Sequence, residues 1–572
     1  MQGLQPMGMM GGSPVYVLQQ NTKRDTGRKA QLANIAAARA VADIVRTSVG
    51  PQAMLKMILD PMGGIVISND GNSILREIEV THPAAKSIID LSRTQDEEVG
   101  DGTTSVIVLA GEMMTVAEPL LERNIHPTVI VQTYFKALDD AVKIAESQAS
   151  FTVDPENREQ MLQVIHSCLG TKFVSKFSTL MTSLALDAVK CVTVVGADGR
   201  RDIDIKRYAR LEKIPGGDIT ESCVLRGVMI NKDIIHPKMP RRIVRPRVVL
   251  MDCPIEFTKN ESATNVEITN EDDWETLVKM EEETVQRMVK DILRVKPTVV
   301  VTEKGVSDYA AHLLMKAGVS VMRRMRKTDN VRIARVSGAT IANRTEELTE
   351  EDVGTECGLF EVRKIGDEYF AFFEDCANPK ACTVLLRGPS KDFLNEVERN
   401  LHDAMLVARN VLLDPRMCVG GGAFEMQLSQ SLSRQAKKVE GIAQYAYQAV
   451  AGAMEVIPRT LAQNCGANVV RTITELRAKH ASSLNSADEQ NAPLCVWGID
   501  GENGKITDMK AAGIWEPLAV KVQTVKTAIE SAALLLRIDD IVSGIKNKAQ
   551  KDQEAKGQPV PDEDAQPEDR QE

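Results

Sequence analysis

Gly100-Asp101-Gly102-Thr103-Thr104-Ser105 runs straight into the apolar stretch Val106-Ile107-Val108-Leu109-Ala110. The pattern predicts a glycine-hinged loop feeding a helix start, with a carboxylate and three hydroxyls held there. Free N–H groups and the positive end of the helix dipole collect at such a start, so it suits an anion. Gly100 and Gly102 let the backbone approach a ligand with no Cβ in the way. A carboxylate beside an anion site is contradictory unless a divalent cation lies between them. Asp101 therefore reads as a Mg²⁺ ligand on a bound polyphosphate. The competing reading is a plain helix N-cap, where Asp and Thr are common.

Composition narrows the field. At 572 residues the chain exceeds one compact core and predicts several domains. Seventy basic residues against 80 acidic ones leave a net charge of −10, which argues against general nucleic-acid binding. Aromatics at 4% leave few platforms for stacking bases. Met1 to Pro14 lacks the basic start, apolar core and cleavage pattern of a secretory signal. No uninterrupted apolar run approaches membrane-spanning length, so no membrane partner is expected. The ten cysteines include no CxxC pair. Cys376 and Cys382 come closest to one, but no histidine or further cysteine completes a zinc set, and reduced thiols are expected. A disulfide between Cys376 and Cys382 is left open.

Leu32, Ile35, Ala42 and Val45 predict a helix from Lys29 to Thr47, stopping at Ser48-Val49-Gly50-Pro51. Short strands follow at Met57-Ile58-Leu59 and Ile65-Val66-Ile67-Ser68, around the turn Asp60-Pro61-Met62-Gly63-Gly64. Helical patterns run from Ala117 to Ser147. Between Gly216 and Glu374, strands such as Arg247-Val248-Val249-Leu250 and Thr298-Val299-Val300-Val301 flank the acidic amphipathic stretch Glu271 to Leu293, which suggests an α/β layer domain. From Lys391 the chain turns helical again.

Three further stretches resemble parts of a nucleotide pocket. Ser48-Val49-Gly50-Pro51 sets a bare glycine at a helix end. Asn69-Asp70-Gly71 is a tight turn placing a carboxylate after a strand. Gly420-Gly421-Gly422 precedes a helix starting near Ala423. No GxxxxGK[ST] occurs, which excludes a P-loop ATPase, and protein-kinase signatures are absent. In the helical segment Lys391 to Leu413, Asp403 falls off the apolar stripe Phe393, Val397, Leu401, Met405 and Leu412. Local pattern reads it as a solvated acid. His402 beside it invites a general-base reading, but spacing promotes neither residue.

Five longer blocks carry a resemblance. They are Asn21-Thr22-Lys23-Arg24; Asp60-Pro61-Met62-Gly63-Gly64-Ile65-Val66; Arg93-Thr94-Gln95-Asp96-Glu97-Glu98-Val99 with the Asp101 loop; Lys213-Ile214-Pro215-Gly216-Gly217; and Gly513-Ile514-Trp515-Glu516-Pro517-Leu518-Ala519-Val520-Lys521. Matching in order, they resemble the group II chaperonins of the eukaryotic cytosol over all but the Met/Gly-rich start and the acidic tail. The resemblance implies a multidomain α+β and α/β chaperonin fold. Its mostly helical equatorial domain would come from 15–152 and 409–545, and a small intermediate domain from 153–218 and 375–408. An α/β apical domain with a helical protrusion would occupy 219–374, between disordered tails at 1–14 and 546–572.

The resemblance also implies the site. Asp101 would hold Mg²⁺ while Gly102, Thr103, Thr104 and Ser105 cradle phosphates. Ser48, Gly50, Pro51, Gly421, Gly422 and Lys521 would bind the nucleotide, with Gly501 and Glu516 near base and ribose. Asp403 matches the acid that orients the attacking water, Asp70 its helper, and Thr171-Lys172 a loop that senses the γ-phosphate. The family often places a proline before its glycine triple; here Cys418-Val419 precede it, which removes a φ restraint.

Activity and partners follow from the same likeness. The expected function is ATP-dependent folding of non-native proteins such as actin and tubulin, in the cytoplasm, within a double ring of paralogous subunits. The implied cofactors are ATP or ADP with Mg²⁺, and K⁺; prefoldin-type co-chaperones are further partners. Glu256 to Glu282 would contain the lid protrusion, and Ser307 to Val319, with Tyr309, Leu313, Leu314 and Met315, the client-facing helix. The competing reading makes those side chains core. Arg323-Arg324-Met325-Arg326-Lys327 would face acidic clients or simply solvent. Val15 to Gln19 and Leu536 to Val542 match terminal strands that pair with a neighbour's Leu59 to Ser68 hairpin. The alternative function is a nucleotide-binding scaffold or client-docking subunit that barely hydrolyses. A small-molecule phosphotransferase would need a second polar pocket, which the sequence does not display.

Overall fold

Three large hydrophobic cores, two of them drawn from segments distant in sequence, organise the described residues. The computed structural model describes residues 23–59, 63–258, 271–485 and 494–543. The first core joins both halves of the chain: helices Arg28–Arg46, Thr103–Glu122 and Pro127–Gln148 pack with Ala443–Ala453 and Leu518–Leu536. The Thr103–Glu122 helix lies inside it, burying Val106 through Gly111 together with Met113, Met114 and Ala117. A helix apolar on all sides must be covered on all sides. By length and composition it is apolar enough to cross a membrane, although Glu112 and Thr115 interrupt its apolar run. A Cβ on Gly111 would sit 2.5 Å from the Ala42 methyl, so the first helix crosses it at close range.

The second core lies between residues 228 and 381. A parallel sheet runs in the order Ser320–Met322, Val299–Thr302, Val248–Met251, Ile341–Ala342. Both central strands are buried at every position, as a parallel sheet covered on both faces requires. The acidic stretch forms helix Glu271–Arg294 and buries Val285, Val289 and Ile292. The proposed client helix is Asp308–Lys316. Its Ala310, Ala311 and Leu314 are buried, and Tyr309, Leu313 and Met315 pack against the same core. Leu314 is therefore core, while Tyr309, Leu313 and Met315 are half-buried at its edge. Trp274, Val278 and Met280, on the neighbouring helix, are exposed.

In the third core, helices Arg158–Leu169, Ser178–Val192 and Lys391–Leu413 cover a sheet. Its central strand Cys382–Gly388 runs parallel to Ala209–Pro215 and antiparallel to Cys223–Leu225. The Lys391–Leu413 helix ends against the loop before the first core's central helix. Asn410 donates to the Val99 carbonyl (2.9 Å), Arg409 to that of Glu98 (2.6 Å), and Leu406 meets Gly100. A Cβ on Gly100, at φ +71°, would lie 2.2 Å from Leu406 Cδ1. Gly100→Ala is expected to destabilise by about 1–3 kcal/mol. A lower urea midpoint at unchanged slope is the measurement.

At the two ends of the described residues, Lys23–Thr26 pairs antiparallel with Asp540–Ser543, clamped by Arg24 and Asp540 at 2.6 Å. This moves the C-terminal strand from where the resemblance placed it. Leu536 still belongs to the last helix, and the strand begins only at Asp540. Val15 to Gln19, both tails, Asp60 to Met62 and residues 259–270 of the protrusion lie outside the described residues. Strands Lys56–Leu59 and Ile65–Ser68 form the expected hairpin, with Met57, Leu59 and Ile65 exposed. All ten cysteines are free thiols. Cys376 Sγ donates to the Glu374 carbonyl at 3.8 Å and Cys382 Sγ to the Ala188 carbonyl at 3.6 Å.

Candidate functional site

At the head of the Thr103–Glu122 helix, Gly100 and Gly102 both take the left-handed conformation, with φ of 71° and 77°. Gly102 is the N-cap residue, so no side chain caps the helix. Asp101 is thus not the cap that its composition allowed. Its Oδ1 accepts from the Gly102 N–H at 2.7 Å, and the carboxylate remains half-exposed. Gln95 holds the loop from beneath, its amide donating to the Asp101 carbonyl and to Thr524 Oγ1, both at 3.1 Å.

Asp70 caps the short helix Gly71–Arg76, accepting from the Ser73 N–H and hydroxyl at 2.9 Å each. The Thr103 hydroxyl donates to its other oxygen at 2.6 Å, and the Gly71 N–H donates to Thr104 Oγ1 at 3.1 Å. Two acid-bearing turns that the sequence treated separately are thereby one unit. Burial works to raise the Asp70 carboxyl, but the Lys172 charge and the Thr103 and Ser73 hydrogen bonds hold it below the usual range.

Asp403 is buried, with only 7% of its surface exposed. This overturns its reading as a solvated acid. Lys172 Nζ donates to Asp403 Oδ2 at 2.8 Å, and Asn69 fixes that loop by donating to the Thr171 carbonyl at 2.9 Å. Burial pushes the Asp403 carboxyl well up, against Lys172, and the nearby Asp70 and Asp101 charges add to the rise. Lys172, surrounded by Asp403, Asp70 and Asp101, is held well above the ordinary lysine value in spite of burial. Three acids facing one lysine leave an excess of negative charge, which suits a bound cation. Asn69 Oδ1 is also buried without a hydrogen-bond partner. The Cys168 thiol lies among these charges, and burial first, then the Asp101 charge, pushes it well up. His402 stands apart: burial lowers it, and the charges acting on it are Lys206, Glu398 and Arg409.

The glycine triple forms the other wall. Gly421 and Gly422 have φ of 64° and 75°, and Gly422 is the uncapped start of helix Ala423–Ala436. A Cβ on Gly420 would meet Glu516 Oε1 at 2.8 Å, and the Gly421 carbonyl accepts from Ile499 N at 2.9 Å. Gly501 closes against Pro51, where a Cβ would come within 2.4 Å of the ring. Gly50 has φ 92° and abuts Leu461. The Asp101 charge reaches Glu516, which burial raises and Lys521 opposes.

The other residues of the expected site have partners within the fold. Lys521 Nζ is buried between Glu425 (2.8 Å) and Glu516 (2.6 Å), so it acts on the site through Glu516. The Ser48 hydroxyl donates to the Val45 carbonyl and that of Thr171 to Cys168, each finishing its own turn. Gln95, Cys168 and Glu425 had no role in the sequence reading, and Asn69 entered it only as part of its turn. Gln95 lies inside a quoted block, but no spacing rule separates it from its neighbours.

Asp96, hydrogen-bonded by Asn72 at 2.8 Å, is pushed up to about 6 by burial and then by the Asp70 charge. Its folded form binds more protons than the unfolded form between 3.8 and about 6, so its contribution makes stability fall as pH rises through that window. Asp96→Asn is expected to flatten this fall, seen as urea midpoints measured on either side of the window.

Comparison with known proteins places this geometry. The model of the TCP-1/cpn60 chaperonin family matches residues 41–546. T-complex protein 1 subunit gamma of Drosophila melanogaster is 62% identical over 541 residues, 94% of this chain and 97% of the relative. The proteins of that name from Bos taurus and Homo sapiens are each 59% identical over 540 residues, again 94% and 97%.

Proposed function

Because the chain belongs to the TCP-1/cpn60 chaperonin family, we propose that it is a gamma-type subunit of a cytosolic hetero-oligomeric chaperonin and hydrolyses ATP at the cluster around Asp101. It is a chaperone subunit, and its work is the folding of non-native proteins, with actin and tubulin as clients and prefoldin-type proteins delivering them. The observation that carries the hydrolytic part is the buried Lys172–Asp403 pair set beside Asp70 and Asp101. In the same reading 15–152 with 409–545 is the equatorial domain, 153–218 with 375–408 the intermediate one and 219–374 the apical one; the three separate cores support this division.

The residues fit a magnesium nucleotide: an acid excess, an uncapped helix start and glycine walls where a Cβ would intrude. Mg²⁺ held by Asp101 would neutralise phosphate charge. The N–H groups of Gly102 to Ser105 would bind phosphate oxygens, with Gly50, Pro51, Gly421, Gly422 and Gly501 against the nucleoside. Asp403, its affinity for protons raised, would orient water and accept its proton; Lys172 and Asp70 position it. Phosphoryl transfer to water depends mainly on such positioning and charge stabilisation. Asp403 sits on a helix rooted in the third core, so domain closure and hydrolysis are linked. The exposed apolar side chains of the Lys56–Leu59 and Ile65–Ser68 hairpin support strand addition from a neighbouring subunit.

Asp101→Ala in this subunit of the assembled ring is expected to abolish magnesium-dependent nucleotide retention at this site, measured by photo-crosslinking of labelled nucleotide subunit by subunit. Undiminished labelling would remove Asp101 from the site.

A further inference from the structure

One short helix, Val456–Asn464, meets all three glycine turns that the proposed function sets against the nucleoside. A Cβ on Gly422 would lie 2.8 Å from Pro458 Cβ, and one on Gly50 would lie 2.7 Å from Leu461 Cδ2. Just past the helix end, Cys465 Sγ lies 3.1 Å from the Gly501 carbonyl. Pro458, Leu461 and Cys465 fall at i, i+3 and i+7, so they share one face. The three turns are remote from one another in sequence, and this face is what they have in common.

The helix is fixed at both ends. At its start the buried N-cap residue Glu455 accepts from Arg477 Nε at 2.7 Å and from the Ser429 hydroxyl at 3.3 Å. Arg459 donates to Glu112 at 3.2 Å, on the helix that begins at the Asp101 loop. At its end Asn464 Nδ2 donates to the Val49 carbonyl at 2.8 Å and to that of Arg46 at 3.1 Å. Arg46 closes the first helix, where the last carbonyls have no partner within the helix itself. Val49 directly precedes Gly50. Both hydrogens of one half-buried amide are therefore used to hold the turn from Arg46 to Pro51.

We propose that Asn464 is a positioning residue for the nucleoside half of the site. By tying the Val49-Gly50-Pro51 turn to the helix that also meets Gly422 and Gly501, it sets the slot into which base and ribose fit. That slot is narrow, because a Cβ on Gly501 would already come within 2.4 Å of the Pro51 ring. The phosphate half is held by other contacts: Gln95 supports the Asp101 carbonyl, and Thr104 accepts from the Gly71 N–H. Loss of the Asn464 amide should therefore weaken contacts to the nucleoside and spare those to phosphate. The inference rests on the reading of this cluster as a nucleotide site and adds where its affinity for the nucleoside is set.

The test uses the assembled ring with Asn464→Ala in this subunit, read by photo-crosslinking of labelled nucleotide. Unlabelled Mg-ATP and Mg-tripolyphosphate, which lacks the nucleoside, are titrated as competitors. Mg-ATP affinity is expected to fall about 10-fold, the scale of one net hydrogen bond, with tripolyphosphate affinity unchanged. Asn464→Asp keeps the shape but sets a carboxylate against two carbonyls, and should lose Mg-ATP affinity at least as far. Retained tripolyphosphate binding shows in each variant that the chain is folded. Unchanged Mg-ATP affinity, or equal loss of both competitors, would overturn the role of Asn464 and leave the nucleotide site standing. An unaltered subunit that takes up no label would instead overturn the nucleotide reading, and this inference with it.

Discussion

Asp403→Asn is expected to leave nucleotide binding intact and slow this subunit's turnover by about 10²-fold or more, the usual loss when a positioned acid–base group is removed. The substitution keeps the side-chain shape and one oxygen for Lys172, so the buried contact at 2.8 Å retains an acceptor. What disappears is a carboxylate able to accept a proton. Burial together with Asp70 and Asp101 raises its proton affinity, which brings the group closer to the working range of a base. The measurement is single-turnover hydrolysis resolved by subunit, beside equilibrium occupancy. Retained occupancy with lost turnover is the expected signature. Normal turnover would show that Asp403 is structural, and lost occupancy would make it a binding residue. The same experiment on the unaltered ring separates the hydrolytic subunit from a scaffold, since a scaffold would retain unhydrolysed ATP here.

Lys521→Met is expected to destabilise the chain by about 3–5 kcal/mol, the range for removing one partner of a buried ion pair. Lys521 is 8% exposed in its side chain, Glu425 4% and Glu516 31%. Methionine fills similar volume but leaves both carboxylates without a counter-charge. Burial alone would lower the Lys521 ammonium, yet the two glutamates hold it well above the usual lysine value. A group raised on folding contributes its full stabilisation below its unfolded pKa while its partners stay charged, so the loss should be constant around neutral pH and shrink both in strong alkali and in acid, where Glu516, raised by burial, takes up a proton. Adding Glu425→Gln should recover part of the loss, because the pair is coupled. Urea denaturation of the single and double variants reads both effects. Additive losses would show that the two side chains do not act together.

Much of the arrangement was legible in local order. The glycine-flanked Asp101 loop, the helix from Lys391 to Leu413 and the valine-rich central strands are features whose period or turn chemistry lies within one segment. A helix start without a capping side chain and a strand buried on both faces leave their marks in adjacent residues. Those marks survive without knowledge of the rest of the chain.

The roles that were misread, or missed, depend on partners far away in sequence. Asp403 looks solvated on its own helix because helical period reports only which face meets the local core. Its burial comes from Lys172, 231 positions earlier. Lys521 looks like a ligand contact until Glu425, 96 positions before it, takes its charge. Local order thus determined where an anion-binding turn and its helix would form, since backbone geometry and hydrogen bonding there are short-range. Only the tertiary structure decided which acids surround one lysine, because electrostatic neighbours are set by packing between cores, and no spacing along the chain encodes them.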